Sequence, residues 1–299
     1  MLPKYTSNFP KLAFRILHYL HFVELFFKSC LSVLKVLLMS KYNVKKPQML
    51  FQKCAIIGNG PSLKYTLENE HDFLENTELF CVNLFATHKQ YQILKPKNYI
   101  LHDPVYGDES HTEAQKAIKG IVDNTTWEIN LFVPFQLKKS SYFVSEMSKN
   151  AYIHVKYYNY TIVEGFQKLS FWLFNKGLAM PQSQNVIIAA LFMTIYLGYK
   201  EIFLFGADQS WHEIVSLDEH NKLTFEMPYF YEKKALDITK IKKGNGSYLA
   251  QLFLSTHKVF KGFEVLADYA ISKGSKVYNA SARSYIDVFE KIKINEFKR

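Results

Sequence analysis

Apolar residues recur at helical spacing near the start of the chain. Ile16, Leu17, Leu20, Val23, Phe27, Leu31, Leu34 and Leu38 fall three or four apart, while Arg15, His18, Glu24, Lys28, Ser32 and Lys35 fall mostly elsewhere. The spacing predicts one long amphipathic helix within residues 11–39. Arg15, Glu24, Lys28 and Lys35 interrupt any run of the roughly 20 apolar residues that a bilayer span requires. No small-residue cleavage site follows, which argues against a secretory leader. Besides a true span, which these charges disfavour, two placements remain open for such a helix. It can lie in the interface of an anionic membrane, or it can pack on the folded domain or on another subunit. Residues 41–48, KYNVKKPQ, are basic and Pro-punctuated and read as a linker. The expected division is therefore residues 1–48 as helix and linker, and residues 49–299 as one domain.

Within that domain the pattern changes to short apolar runs alternating with helical stretches, as in α/β folds with a mostly parallel sheet. Residues 50–57, LFQKCAII, read as a buried strand that runs into Gly58-Asn59-Gly60-Pro61-Ser62-Leu63. Strand, Gly-rich turn and Pro near a helix start make the phosphate-approaching corner of a Rossmann-like domain, and glycines there let backbone come close to a ligand. The third glycine of G-x-G-x-x-G is replaced by Leu63. The next strand, Glu78 to Val82, ends at Asn83 instead of an acidic residue. Both details argue against NAD or FAD, and no Walker-type GK[ST] follows. Asn59 and Asn83 can instead bond a base or a sugar hydroxyl. A third strand, Asn98 to Leu101, ends at His102-Asp103-Pro104, where open sheets place ligand contacts and where an ordinary Asp-Pro turn reads equally well.

A second unit begins at Pro181. Ser183, Gln184 and Asn185 precede the helical run VIIAALFMTIYLGY, with Gly198 as its C-cap, and the strand Glu201–Phe205 then ends in Gly206-Ala207-Asp208. A helix start of this kind favours an anion, and Asp208 at a strand's carboxyl end can accept from sugar hydroxyls. Ser183 as a plain cap and Asp208 as a plain turn residue are the alternatives. Residues 209–256 are polar and irregular, which predicts a lid inserted after the Asp208 strand. The run from Lys276 to Ser281 reads as a last strand, and Asn279 and Ser281 either reach the ligand or cap a following helix.

Composition narrows the partners. Charge is +10, from 37 basic and 27 acidic residues, yet no nucleic-acid module is present, so an anionic membrane face and an anionic ligand are the expected partners. Three cysteines without CxxC spacing suit a reducing compartment, with Cys54 and Cys81 as core thiols. The expected location is the cytoplasm, at the inner membrane face.

GNGPSL at residues 58–63, the strand ending in Asn83, and LGYKEI at 197–202 leading to Gly206-Ala207-Asp208 carry a specific resemblance. Together they resemble the bacterial sialyltransferases of glycosyltransferase family 42 and the related motility accessory factors, over roughly residues 50 to 290. The resemblance implies a Rossmann-like, GT-A-like variant fold and a metal-independent inverting transferase with no cofactor. It would move a sialic acid or related nonulosonic acid from a CMP-activated donor to a surface-glycan acceptor. By the resemblance, donor binding would fall on Asn59, Asn83, Ser183, Gln184, Asn185, Gly206, Ala207 and Asp208, to which the strand-end reading adds Gly58, Gly60, Pro61, Ser62 and Asp103. The family's catalytic His precedes its last helix, and His257 is the nearest match, with His212 in reserve. Ser210 and Ser216 stand where the family has phosphate-stabilising tyrosines, which leaves Tyr229, Tyr231 or Tyr248 for that task. Other readings are a pterin pyrophosphokinase-like enzyme using ATP and Mg²⁺, and a nucleotide-sugar-binding protein without catalysis. A homo-oligomer is compatible with the sequence.

Overall fold

A computed structural model describes residues 11–42, 52–217, 219–220, 223–228, 233–235 and 248–297. The chain divides into two compact units, one of residues 1–42 and 159–181, the other of 43–158 and 182–299.

The first unit is built on α1 (Lys11–Met39). The face that α1 turns to its unit is small and mostly polar: Ser29, Ser32 and Val36, with Ser40 just past its end, are buried, at spacings of three, four and four. Their hydroxyls hold the segment 161–178. Ser29 Oγ accepts from Phe166 N at 2.9 Å, and Ser32 Oγ bonds both the carbonyl and the amide of Glu164 at 2.7 and 2.9 Å. Ser40 Oγ meets Leu178 O at 2.6 Å and Thr161 Oγ1 at 2.8 Å. A Cβ on Gly165 would lie 2.3 Å from Ser29 Oγ, and its φ of +117° is open to glycine, so backbone and helix touch there. The predicted apolar stripe points the other way. Seven of its eight members, all but Val23, are exposed. Among the described residues no helix is long and apolar enough to cross a membrane.

The second unit is a parallel α/β domain, as expected. Its strands are β1 (Lys53–Ile57), β2 (Glu78–Val82), β3 (Asn98–Ile100), β4 (Ile129–Pro134) and β5 (Ile153–Tyr158). They are completed by β6 (Glu201–Phe205) and, near the end of the chain, β10 (Lys276–Asn279) and β11 (Glu290–Lys291). The order is β5-β4-β3-β2-β1-β6-β10-β11, parallel throughout. Strands β1, β2 and β6 read as unbroken apolar runs because helices cover both faces of such a sheet. Cys54 and Cys81 lie fully buried in β1 and β2, and burial pushes both thiols well up. Chain order runs outward from β1 to β5 and then returns to β6 on the other side of β1. The switch point is therefore between β1 and β6, where open α/β sheets open a crevice at their carboxyl ends.

Helices α2 (Leu63–Asn69) to α6 (Ser141–Ser148) fill the β1-to-β5 connections, with α3 at His71–Glu75, α4 at Gln90–Leu94 and α5 at Thr112–Asn124. The first unit contributes α7 (Gln167–Asn175). Helix α8 (Val186–Leu197) is apolar all round because Ile187 to Leu197 are buried throughout, and Gly198 ends it at φ +108°. Two features differ from the sequence-based expectation. The region expected to be irregular contains an antiparallel sheet, β7 (Val215–Leu217), β8 (Leu223–Pro228) and β9 (Lys233–Ala235). Helix α9 (Tyr248–Lys273) begins well before His257, and packs by Val259, Phe263, Leu266 and Ala270 at helical spacing.

Candidate functional site

Loops leaving β1 and β6 cross at the switch point with almost no space between them. Gly58 N donates to Phe205 O at 2.8 Å and Gly60 N to Gly206 O at 2.9 Å. A Cβ on Gly58 would stand 2.5 Å from Gly206 O; one on Gly206, whose φ is +59°, would stand 2.5 Å from Gly58 O. These glycines admit each other's backbone, which is a different use from the ligand approach that the GNG string suggested. Gly60 serves a third close contact, since its Cβ would fall 2.2 Å from Asp208 Oδ2.

From that crossing a series of hydrogen bonds, joined to one another through short stretches of backbone, runs around the carboxyl edge. Asp208, buried, accepts from Ser62 N at 3.0 Å and Ser62 Oγ at 2.6 Å, joining the β6 exit to the β1 exit. Asn59 Nδ2 donates to Val82 O at 3.1 Å, joining β1 to β2. Asn83, at φ +51°, accepts from Tyr106 Oη at its Oδ1 (3.1 Å) and from Tyr99 Oη at its carbonyl (2.7 Å), joining β2 to β3. His102 Nε2 lies 2.8 Å from Ser183 Oγ, joining β3 to the approach of α8, and Asn185 Nδ2 donates to Gln209 Oε1 at 3.0 Å, returning to β6. Asn59, Asn83, Asp208, Ser183 and Asn185 are thus brought into one ring. Asn185 is the N-cap of α8, its Oδ1 accepting from Ile188 N at 3.0 Å. The positive end of that helix faces the ring. Asn59 Oδ1 is buried and has no hydrogen-bond partner among the described residues.

Other expected residues fall elsewhere. Pro61 and Ser62 form a turn ahead of α2, so Pro61 is not its first residue. Asp103 is exposed and caps the short turn at Pro104–Gly107 by accepting from Val105 N at 2.9 Å, the plain Asp-Pro reading. Gln184 is exposed beside buried Ser183. His257 lies inside α9 rather than ahead of it, exposed and roughly opposite the helix's buried stripe. Ser281 is a strut: its hydroxyl accepts from Ala207 N at 3.0 Å and donates to Leu204 O at 3.1 Å. No α-helix follows it among the described residues, only a short 3-10 turn at Ile294–Glu296. Tyr229 and Tyr231, and the side chain of Tyr248, lie outside the described residues.

Glu213, Arg283 and Tyr285 gave no signal in sequence, and His102 read only as part of a strand-end turn. His102 is buried, with Nδ1 2.7 Å from Tyr158 Oη, and burial lowers its pKa to about 4. Both ring nitrogens are engaged, so the ring holds Ser183 in place. Past Asp208, a turn at Trp211–Ile214 brings Glu213 against Arg283 and Tyr285, and places His212 edge-on to the Tyr285 ring at 4.3 Å. Tyr285 N donates to Asp208 O at 2.9 Å, so His212 belongs to the same cluster as Asp208. Burial raises the pKa of the Asp208 carboxyl, while Ser62 and the Arg283 charge act against that rise. Sequence spacing could not join residues 208–213 to 281–285; only the β6-β10 pairing does so.

No protein-family model matches the sequence, and no curated protein matches it. Among solved structures the fold is similar to that of the MAf glycosyltransferase from Magnetospirillum magneticum AMB-1, with a TM-score of 0.52 and 9% identity. The likeness covers 87% of this chain and 36% of that one, so the chain spans about a third of its neighbour's length. What the two share is a Rossmann-like α/β fold.

Proposed function

We propose that the second unit is a glycosyltransferase that takes a sialic acid or related nonulosonic acid from a CMP-activated donor and passes it, with inversion and without a metal, to a glycan hydroxyl. The observation that carries this reading is the ring at the β1/β6 switch point, which gathers Asn59, Asn83 and Asp208 at the carboxyl ends of three adjacent strands. The fold likeness to a glycosyltransferase and the motif resemblance to family 42 support it. In this reading Asn59 and Asn83 take the cytidine, and Asn59 Oδ1 gains the donor it lacks. The start of α8 faces the donor's phosphate or carboxylate. His102 is a positioning residue that orients Ser183.

Transfer needs a base to remove the acceptor's proton as its oxygen attacks the anomeric carbon and the bond from that carbon to the phosphate oxygen breaks, releasing CMP. His102 is buried and bonded at both nitrogens, which leaves it no free lone pair for the task. His212 takes the role in this proposal, because the Tyr285 contact ties it to the Asp208 loop; His257, exposed on α9, is the alternative.

Thermal unfolding with CMP, UMP, GDP, ATP and NAD, each with and without Mg²⁺, tests the nucleotide. CMP without metal should raise the midpoint, by about 2.7 kcal/mol of added stability at a hundredfold excess over its Kd. A response to ATP with Mg²⁺ alone would favour the pyrophosphokinase-like alternative, and no response to any nucleotide would overturn the reading. His212→Ala and His257→Ala then separate the bases. The true base should lose turnover by about 10²–10⁴-fold and keep its CMP affinity.

A further inference from the structure

The first unit distributes polarity in reverse. Its helix α1 buries serines and exposes Leu20, Phe26, Phe27, Leu31, Leu34 and Leu38. At 3.6 residues per turn these six share an arc of about 140° that contains no charged residue and runs the length of a helix of about 43 Å. Contiguous apolar surface on that scale is a binding face.

Charge identifies what covers it. Residues 11–42 and 159–181 carry seven Lys or Arg against two Glu, half of the chain's net +10 in less than a fifth of its length. Both acids are already engaged, since Lys28 Nζ lies 2.8 Å from Glu24 and 3.7 Å from Glu164. A separate element of the same unit repeats the combination. On α7, Trp172 is 54% exposed, and Lys168 and Lys176, both exposed, stand four residues to either side and so on its face. Basic residues flanking apolar and aromatic surface are what an anionic headgroup layer binds, whereas two copies pairing by this face would bring like charges together.

We infer that the first unit is a docking module for an anionic lipid bilayer, with α1 lying in the interface on its apolar arc and α7 adding a Trp–Lys anchor. Membrane attachment would hold the second unit at the surface where lipid-borne acceptors lie, but the inference does not rest on the nucleotide reading.

The test is sedimentation of the full chain with vesicles of phosphatidylcholine alone and of phosphatidylcholine with phosphatidylglycerol, in the absence of nucleotide. Anionic vesicles should bind at least about tenfold more tightly than neutral ones, since each surface Lys or Arg contributes about 1 kcal/mol, and added salt should erase the difference. Leu20→Glu with Leu34→Glu should reduce binding to both vesicle types by tenfold or more. Lys168→Glu with Lys176→Glu should remove the anionic preference while leaving CMP binding unchanged. Trp172 emission should shift to the blue on anionic vesicles, and the shift should vanish in Trp172→Phe. Equal or absent binding to both vesicle types overturns the inference. So does a stable dimer that dissociates in the Leu20→Glu, Leu34→Glu variant and does not bind lipid, which would assign the face to a second copy.

Discussion

The two units solve the same problem, bringing backbone against backbone, with opposite chemistry. At the β1/β6 crossing the contact is glycine on glycine, walled by apolar strands, with Asp208 as the buried charge. Along α1 the contact is mainly serine on backbone, and most apolar residues, Val36 apart, are left outside. The crossing is a fixed corner, because neither strand can move without breaking a bond or making a clash. The helix has satisfied its polar side internally and keeps its apolar side for a partner. Burial, rather than hydrophobicity, tells which face of an element belongs to the fold.

The crossing breaks most readily at Gly206. Alanine there combines a positive φ with a Cβ 2.5 Å from Gly58 O, and should cost about 2–4 kcal/mol in urea unfolding. A loss below about 0.5 kcal/mol would mean that the loops part easily and that the corner is not rigid.

The buried imidazole gives the next largest effect, and a pH dependence of definite sign. His102 titrates at about 4 in the folded chain, against about 6.5 when unfolded, so the unfolded chain binds the extra proton first. Its contribution is whole above pH 6.5 and is lost as pH falls towards 4, to about 3 kcal/mol in all. His102→Gln should flatten the stability profile over that window. Asp208 acts in the opposite sense. Its folded pKa is raised, so deprotonation weakens the fold as pH climbs from the unfolded carboxylate value towards the raised one. Asp208→Asn removes that slope while still able to accept from Ser62 N and donate to Ser62 Oγ; its stability should stay within about 1 kcal/mol of the parent. A slope unchanged by either substitution would place the titrating group elsewhere.

The sheet could be read in advance because β1, β2 and β6 are buried on both faces, and continuous apolar runs next to Gly-rich exits have few other uses. The same runs located Asn59, Asn83 and Asp208, each one or a few residues past a strand end. What stayed hidden depends on neighbours distant in sequence. His102 looks like part of an Asp-Pro turn until Tyr158 and Ser183 close on it, 56 and 81 residues away. The Asp208–Tyr285 link spans a comparable gap. The start of α9 is hidden in the stretch that reads as a lid, since its fully buried positions begin only at Val259. Helix α1 reads as amphipathic, but its inward face is mostly polar, and periodicity alone gives no sign of which stripe faces in.

That last point yields the finest test of the comparison, made within one helix and two residues apart. Ser29 is buried against the Gly165 backbone and accepts from Phe166 N, whereas Leu31 is 59% exposed. Ser29→Leu should therefore destabilise the first unit by about 1–3 kcal/mol through overpacking, despite adding a better helix former. Leu31→Ser trades the apolar residue for the polar one and should change stability by about 0.5 kcal/mol at most in the absence of lipid. Hydrogen exchange at the Glu164 and Phe166 amides, which bond Ser32 and Ser29, reads the two outcomes separately. If Leu31→Ser proved the costlier change, the apolar arc would be covered by protein after all, and the two units would follow one rule instead of two.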